Sequence, residues 1–393
     1  MSGSDIYEGR EQTLVKHFIL QEYLQRFAII VGYHRGTITY VDCFSGPWNV
    51  RSDDFSDSSF SIALQQLRKA REVLKASNRH LKIRCLFLES DPNAFVKLRQ
   101  FTDSVKDAEV KPLQKKLEDA IPDILDFVHQ GGSQAFPFIF IDPTGWTGVA
   151  LGTIAPLLRI TPGEVLINFM TGHISRFLES PQAETQESFR RLFLSPEFQG
   201  RLQGFASRDR EDAAVDFYCE QVKQIGSYQY VCPAIVLHPE KDRTHFHLIY
   251  ATRNLKGVEV FKATEKRSVP VMEEARGEAR KRKREKRTGQ RELYAGKETH
   301  DPSYVNGLRR RYNDRARNCV LDIIKQRTRV PYDDLWSTSM AFPLTWEADL
   351  KAWLNQWKKE GALEFHRMKS GQRVPQLSEG NHVVMKNLPG SQE

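Results

Sequence analysis

The stretch Thr37-Ile-Thr-Tyr-Val-Asp-Cys-Phe-Ser-Gly-Pro47 decides the fold of this chain. Its first six residues are mostly β-branched or aromatic, which favours a buried strand, and Gly46-Pro47 predicts a turn shortly after it. Two later apolar runs repeat the pattern, because they end at Glu89 and at Asp142-Pro143. Helical periodicity separates the three runs. Strands that alternate with helices predict an α/β domain, in which a parallel sheet carries helices on both faces.

The neighbouring elements extend this α/β domain over residues 1–262. Apolar spacing predicts helices at 11–31, 59–75, 92–101, 115–129 and 148–159. It predicts strands at 37–44, 82–88, 108–113, 136–141, 164–170, 228–237 and 245–252, and residues 257–261 close the domain. Residues from about 173 to 225 are mostly helical in pattern, so we expect a helical insertion there.

The C-terminal third has a different organisation. A polar helix that becomes strongly basic, followed by a linker, is predicted for 263–304. Within 305–393 we expect helices at 309–326, near 332–336 and at 345–360, the last capped by Thr345, and then strands at 362–366 and 382–385. Three helices followed by a two-stranded wing is the order of a winged-helix domain.

The positive charge of the chain is concentrated in this third. The whole chain has a net charge of +8, and residues 263–393 hold 27 Lys and Arg against 18 Asp and Glu. Uneven charge of this kind favours contact between one module and a nucleic acid, and a solvated basic surface is the plainer alternative. The candidate phosphate contacts in the basic run are Arg280, Lys281, Arg282, Lys283, Arg284, Lys286 and Arg287.

The helix predicted at 345–360 would be the recognition helix of the winged-helix domain. Its donor-rich candidate contacts are Lys351, Asn355, Lys358 and Lys359. Acidic Glu347 and Asp349 near its N-terminus weaken this interpretation, because recognition helices generally approach DNA with that end. A role in protein–protein contact therefore stays open as well.

Composition argues against export, membrane insertion and metal binding. No apolar run approaches the ~20 residues of a membrane span, and residues 1–10 carry acids and glycine rather than a signal sequence. The five cysteines form no C-x-x-C pair, which fits a reducing compartment, so we expect a cytoplasmic protein. His245-x-His247 could place two imidazoles on one strand face, but no third ligand follows at a recognisable spacing, and we expect no metal site.

Polar groups at the predicted strand ends are the candidate ligand site. In an open parallel sheet, ligands bind outside the carboxyl ends of the strands. Gly46 allows close backbone approach, Glu89 can accept hydrogen bonds from ribose hydroxyls, and Asp142 can accept them from an amino group. Trp146 can stack on a flat base. The plainer alternatives are helix caps for the acids and a core position for Trp146.

These strand ends resemble motifs of class I S-adenosylmethionine-dependent methyltransferases, and the chain as a whole resembles the three-Cys-motif partner protein family. The matching segments are Lys16-His17 with Leu20 and Tyr23-Leu24, Tyr40–Pro47, Phe140–Trp146, and Glu164–Met170 running on to Arg176-Phe177. The resemblance covers about residues 11–262. It implies a Rossmann-like methyltransferase fold and a partner, since such proteins are typically encoded beside a radical-SAM-like protein with three cysteines.

The resemblance also implies site residues. Asp142 would orient the target amine, Pro143 would shape the turn, and Trp146 would stack on the base. S-adenosylmethionine would be bound by Lys16, His17, Asp42, Phe44, Gly46, Glu89 and Asp91.

Two functional hypotheses remain open from the sequence. The first is an S-adenosylmethionine-dependent methyltransferase-like enzyme that acts on an amino group of a nucleic-acid base, favoured by Asp42, Glu89 and Asp142. The second is a catalytically inactive nucleic-acid-binding partner subunit of the three-cysteine protein. Trp48, where the family has a glycine, and Thr144-Gly145, where amino methyltransferases have proline and an aromatic residue, favour the second.

Overall fold

The computed structural model describes residues 5–46, 50–145, 147–172, 182–202, 204–292, 294–296 and 298–386. These residues belong to two compact units, which lie within Met1–His300 and Asp301–Glu393. No helix in these ranges is both long enough and apolar enough to span a membrane.

The described part of the first unit alternates strands and helices as predicted. Its strands are β1 (Thr37–Asp42), β2 (Lys82–Glu89), β3 (Glu109–Gln114), β4 (Ala135–Ile141), β5 (Glu164–Phe169), β6 (Tyr230–Leu237) and β7 (Thr244–Thr252). Its helices are α1 (Glu11–His34), α2 (Ser59–Ala76), α3 (Pro92–Ser104), α4 (Leu117–His129), α5 (Leu151–Leu158), α6 (Ala183–Phe193), α7 (Phe198–Leu202), α8 (Ser207–Gly226) and α9 (Leu255–Thr288). Short 3₁₀ turns lie at Asp5–Tyr7 and Thr147–Val149.

The strands of the first unit form one mostly parallel sheet. Within the described residues the strand order is β3-β2-β1-β4-β5-β7-β6, and β7 runs antiparallel to both of its neighbours. In register, Asp42 at the end of β1 lies opposite Phe87 of β2 and Phe140 of β4. The carboxyl ends of β1, β2, β4 and β5 therefore meet at one edge. The predicted α/β class is confirmed.

Residues that alternate along each strand point to opposite faces of the sheet. On one face, Phe138 packs against Tyr40 and against Tyr23 and Phe27 of α1. On the other face, Ile139 and its neighbours pack with α4, α5 and the helices α6–α8. Both faces are buried, so these central strands are apolar throughout, as parallel strands between two helical layers must be.

Residues 257–261, to which the sequence analysis assigned no helix or strand, lie in the first turns of α9. Asn254 caps this helix, and its side-chain oxygen accepts from the Lys256 N–H at 2.8 Å. An added Cβ on Gly257 would lie 2.3 Å from the Tyr250 hydroxyl oxygen, so only glycine lets the helix approach the sheet so closely. The boundary predicted at residue 262 likewise falls within α9, which belongs to the first unit.

The second unit is small and has its own core. Its elements are α10 (Ser303–Arg327), β8 (Arg329–Pro331), α11 (Tyr332–Met340), α12 (Glu347–Lys359), β9 (Leu363–His366) and β10 (His382–Met385). The strands pair antiparallel in the order β8-β10-β9. Trp336, Leu350 and Trp357 are buried between the helices and this sheet.

Two details of the second unit differ from the sequence analysis. The short strand β8 was not predicted, because its three residues are too few to show a period. Thr345 does not cap α12, since its hydroxyl donates to the Pro343 carbonyl, and the Asp349 carboxylate accepts instead from the Trp346 N–H at 2.9 Å. The helix therefore begins at Glu347, and the winged-helix assignment stays a prediction.

Candidate functional site

A large cavity lies at the edge where the carboxyl ends of β1, β2, β4 and β5 meet. Its volume is about 1290 Å³, above the roughly 300–1,000 Å³ usual for a small-molecule site. The first turns of α1 and the segments that follow those strands supply much of its wall. The cavity residues predicted from sequence are Lys16, His17, Phe44, Gly46, Glu89, Asp142 and Pro143.

Asp142 follows β4 and lies at the wall of this cavity. Its Oδ2 forms an ion pair with Lys16, and its Oδ1 accepts from Asn168 Nδ2 at 2.7 Å. Both side chains of the ion pair are about nine-tenths buried. The carboxylate is therefore held by a helix on one side and by the next strand on the other.

Asn168 is a cavity residue that the sequence analysis did not single out. It is the last but one residue of β5, is 4% exposed, and its Oδ1 has no hydrogen-bond partner in the structure. The register pairs Ile141 with Ile167, which brings the next residues, Asp142 and Asn168, side by side. The sequence does contain a signal for this residue, because Asn168 is polar and follows the apolar residues 165–167 near the end of the strand.

Asp42, at the end of β1, is not among the residues that line the cavity, and its contact with a cofactor stays a prediction. It is fully buried, and its oxygens accept from Ser59 Oγ at 2.6 Å and from the Phe44 N–H at 3.1 Å. Burial raises the pKa of Asp42 to about 6, although the two hydrogen bonds act to lower it. Asp42 therefore fixes the loop that carries Phe44 and Gly46 to the start of α2.

Glu89 and Asp91 follow β2 and have different positions. Glu89 lines the cavity, is 5% exposed, and its Oε1 accepts from the Asp91 N–H at 2.6 Å. The side chain of Asp91 instead accepts from the Ala94 N–H at 2.8 Å and caps α3, immediately before Pro92. Asp91 caps this helix and is not among the residues lining the cavity, and its contact with a cofactor stays a prediction.

His17 contributes a neutral imidazole to the cavity wall. Burial lowers its pKa to about 3, and the adjacent Lys16 charge acts in the same direction. The Tyr7 hydroxyl is hydrogen-bonded to His17 Nδ1 at 2.9 Å, and burial raises the pKa of Tyr7 to about 12. This hydrogen bond fixes the orientation of the His17 ring at the cavity wall.

The segment after Asp142 is packed tightly at the wall of the cavity. A Cβ added to Gly148 would lie 2.5 Å from Pro143 Cβ and 2.8 Å from Phe44 Cζ. Gly145 has a φ of +110°, and its N–H donates to Met170 Sδ at 3.2 Å. These contacts fix Pro143 against the β1 loop. Pro47, Trp48 and Trp146 lie outside the described residues.

The basic run in α9 is largely paired with acids of the same unit. Arg280 pairs with Asp242, Arg282 with Glu11, Lys283 with Glu240, and Arg284 with Glu292. Within the described ranges, Lys281, Lys286 and Arg287 have no ion-pair partner. The unpaired charge is therefore smaller than the composition of 280–287 indicates.

The candidate contacts on α12 have mixed environments. Lys351 pairs with Glu347 at 2.7 Å, one turn away on the same helix. The ammonium of Lys358 lies 4.5 Å from the centre of the Phe365 ring, and Asn355 is half-buried. Some of the donors predicted on α12 are therefore already engaged by neighbouring side chains of the same unit.

The two strand histidines do not form a metal cluster with other described residues. His245 lines the cavity, whereas His247 points to the opposite side, is 1% exposed, and has a pKa that burial lowers to about 3. No group of three or more His, Cys, Asp or Glu side chains in the described ranges is arranged to hold a metal ion.

Comparisons with known proteins give structural neighbours only. No family model and no curated protein matches the sequence. Solved structures that match include a protein from Legionella pneumophila strain Philadelphia 1 of family-model DUF519, at 8% identity and a TM-score of 0.37, covering 65% of this chain and 92% of that chain. They also include loganic acid methyltransferase with SAH, at 9% identity and a TM-score of 0.28, covering 70% and 90%.

The fold assignment rests on the sheet itself, because similarities at these scores carry no weight of their own. A seven-stranded sheet in the described residues, with one antiparallel strand and helices on both faces, is consistent with a Rossmann-like methyltransferase fold. The three-Cys-motif partner resemblance stays a prediction.

Proposed function

We propose that this chain is an S-adenosylmethionine-dependent methyltransferase-like protein that acts on an amino group of a nucleic-acid base. The observation that carries the proposal is the meeting of Glu89, the Gly46 loop and Asp142 at one cavity, although they follow three different strands. This edge of a doubly wound sheet is where nucleotide-type ligands bind.

The residues at the cavity fit S-adenosylmethionine. Glu89 is a buried carboxylate at the end of β2, where an acidic side chain can accept from both ribose hydroxyls. Gly46 gives the backbone after β1 room to approach a ligand, and Phe44 supplies an apolar wall. When bound, the cofactor supplies a methyl group carried on a sulfonium centre.

The residues of the chain would bind and orient the amine. Asp142 accepts one hydrogen of the amino group and keeps its nitrogen lone pair directed into the cavity. The nitrogen gains the methyl group and releases one proton, for which the Asp142 carboxylate is the acceptor. Lys16 and Asn168 hold that carboxylate in position, and alignment of this kind lowers barriers by several kcal/mol, about 7–11 at most.

Nucleic acid as the substrate is supported by charge rather than by a mapped interface. Among the described residues, Lys281, Lys286 and Arg287 near the end of α9 have no ion-pair partner, and Lys286 and Arg287 are exposed, which would let them contact phosphates. In the second unit, the order of three helices and two longer strands supports a winged helix, with Lys358 on its third helix.

One observation favours the second function, a catalytically inactive nucleic-acid-binding subunit. Lys16 neutralises Asp142, and the following residues are Thr144-Gly145. A neutralised carboxylate is a weaker acceptor for an amine. In this case the cavity would bind a nucleotide or nucleic acid, and the chain would work with a three-cysteine radical-SAM-like partner.

Calorimetry of the full chain with S-adenosylhomocysteine and S-adenosylmethionine tests the cofactor. We expect binding of the wild type, and about a tenfold loss in Glu89→Gln, because the amide replaces a charged acceptor, worth about 1.5–3 kcal/mol, by a neutral one. Glu72→Gln makes the same change on an exposed face of α2 and should have no effect. Absence of binding at millimolar cofactor would reject the proposal.

If the cofactor binds, transfer of labelled methyl groups to single-stranded DNA and RNA separates the two functions. Incorporation that Asp142→Ala abolishes, with unchanged cofactor affinity, supports the enzyme. Binding of the cofactor and of nucleic acid without incorporation, in the presence and absence of the three-cysteine partner, supports the inactive subunit.

A further inference from the structure

Asn168 has an unsatisfied acceptor beside the proposed amine site. Among the residues that the structure describes, none donates a hydrogen bond to its Oδ1, and the residue is 4% exposed. A buried polar atom without a partner destabilises the folded state, and nearly all such atoms in folded proteins are paired. An apolar residue at this position would avoid that cost, since the rest of β5 from Val165 to Ile167 is apolar.

The orientation of the Asn168 amide is fixed by its neighbour. Nδ2 lies 2.7 Å from the Asp142 carboxylate, and a flipped amide would place two oxygen atoms at that distance. The carbonyl oxygen is therefore the atom left without a partner. Donation to Asp142 also polarises the amide and strengthens its oxygen as an acceptor.

The described residues around β5 leave the cavity side open for a donor to this oxygen. Val165, Ile167 and Phe169 face the core built with α4, α5 and α8, so the alternate residue Asn168 faces the layer that contains α1. The neighbouring strands β4 and β7 occupy both edges of β5. Asn168 borders the cavity on this face, next to Asp142 and Lys16.

We propose that Asn168 Oδ1 accepts the second N–H of the substrate amino group, so that Asn168 makes the site selective for a base that carries an amine. The inference rests on the proposed function. A planar amino group has two hydrogens, and the wall offers two acceptors side by side, one charged on Asp142 and one neutral on Asn168. A carbonyl group at the same place on a base would meet two acceptors and be rejected.

Paired oligonucleotides that differ only in the amino group test this selectivity. The probes are single-stranded DNA and RNA oligonucleotides with one adenine or purine, one cytosine or pyrimidin-2-one, and one guanine or hypoxanthine. Binding to the full chain is measured by fluorescence anisotropy, with and without saturating S-adenosylhomocysteine. The wild type should prefer the amino member of at least one pair by about tenfold or more.

Asn168→Leu should reduce that preference about fivefold, because it removes the neutral acceptor. Asn168→Ala repeats the test with a smaller side chain, so that a poorly folding leucine variant does not decide the result. Thr102→Val removes a buried hydroxyl on α3, from a residue that does not line the cavity, and should leave the preference unchanged. A purely structural role of Asn168 would weaken both members of a pair equally, and only loss of an acceptor changes their ratio.

The outcomes separate this inference from the function on which it rests. Equal binding of both members of all pairs by the wild type overturns it, and so does a preference that survives in both Asn168 variants. Failure of S-adenosylhomocysteine to bind in calorimetry removes the methyltransferase proposal instead, while the oligonucleotide pairs still decide whether Asn168 recognises an amine.

Discussion

Replacing Gly148 by alanine should damage both the stability of the first unit and its cavity. The added Cβ would lie 2.5 Å from Pro143 Cβ and 2.8 Å from Phe44 Cζ, distances that side-chain carbons do not adopt. Both neighbours are rigid, one as a proline ring and one as an aromatic ring. Overpacking of this kind costs about 1–3 kcal/mol, and we expect about 2 kcal/mol here.

The assay is urea unfolding of the full chain followed by far-ultraviolet circular dichroism, with calorimetry of S-adenosylhomocysteine on the folded protein. Gly148→Ala should lower the unfolding midpoint, and cofactor affinity should fall because Pro143 and Phe44 both line the cavity. Gly152→Ala is the matched control, since its Cβ would meet neighbours at 3.6 and 3.7 Å. Alanine there should be neutral or stabilise α5 by up to about 1 kcal/mol. Equal stabilities of the two variants would refute the packing argument.

Three further predictions concern the core, the pH dependence and the basic helix. Tyr23→Phe should lower the free energy of unfolding by about 1–3 kcal/mol, because it removes the donor 2.6 Å from buried Glu164 Oε2; urea unfolding measures this, and a loss below about 0.5 kcal/mol would contradict it. The pKa of Asp42 is raised to about 6 in the folded state, so the folded protein binds the proton more tightly and this residue's contribution to stability falls as pH rises from about 4 to 6. Asp42→Asn lacks this titration, so its free energy of unfolding relative to the wild type should rise by about 2 to 3 kcal/mol between pH 4 and pH 7. Stability profiles of the two proteins that stay parallel over this range would contradict the prediction. Lys281, Lys286 and Arg287 are the residues of the basic run without an ion-pair partner in the described ranges, and replacing all three by glutamine should leave stability unchanged. The slope of log K against log salt concentration for duplex binding should become shallower by up to about 3. An unchanged slope would exclude this surface from the interface.

The sequence was sufficient to predict the sheet because the strand runs are long, apolar and bounded by polar turns. It left residues 257–261 unassigned, because Val258, Val260 and Phe261 fit either a strand or a helix. The choice is made by the Asn254 cap and by the close contact of Gly257 with Tyr250, which is a tertiary contact. Local patterns cannot show such contacts.

The candidate site was predicted in its location and only partly in its contacts. Strand ends meet at one edge by the geometry of a parallel sheet, so Glu89 and Asp142 could be placed together. The ion pair between Lys16 and Asp142 joins residues 126 positions apart, and no spacing rule predicts it. The ion pairs of the basic run of α9 could not be predicted either, because their acids, Glu11 and Glu240, lie far from it along the chain.

Helix α1 lines the cavity near its N-terminus and packs in the core further along. Its second turn presents Lys16 and His17 to the cavity, while Tyr23, further along the same helix, is fixed in the core through Glu164. Protection of the α1 amides against hydrogen–deuterium exchange should therefore form a gradient, low at the cavity end and high at the core end. A ligand bound in the cavity should slow exchange in the first turns of α1 alone, so exchange rates along this one helix report whether the cavity is occupied.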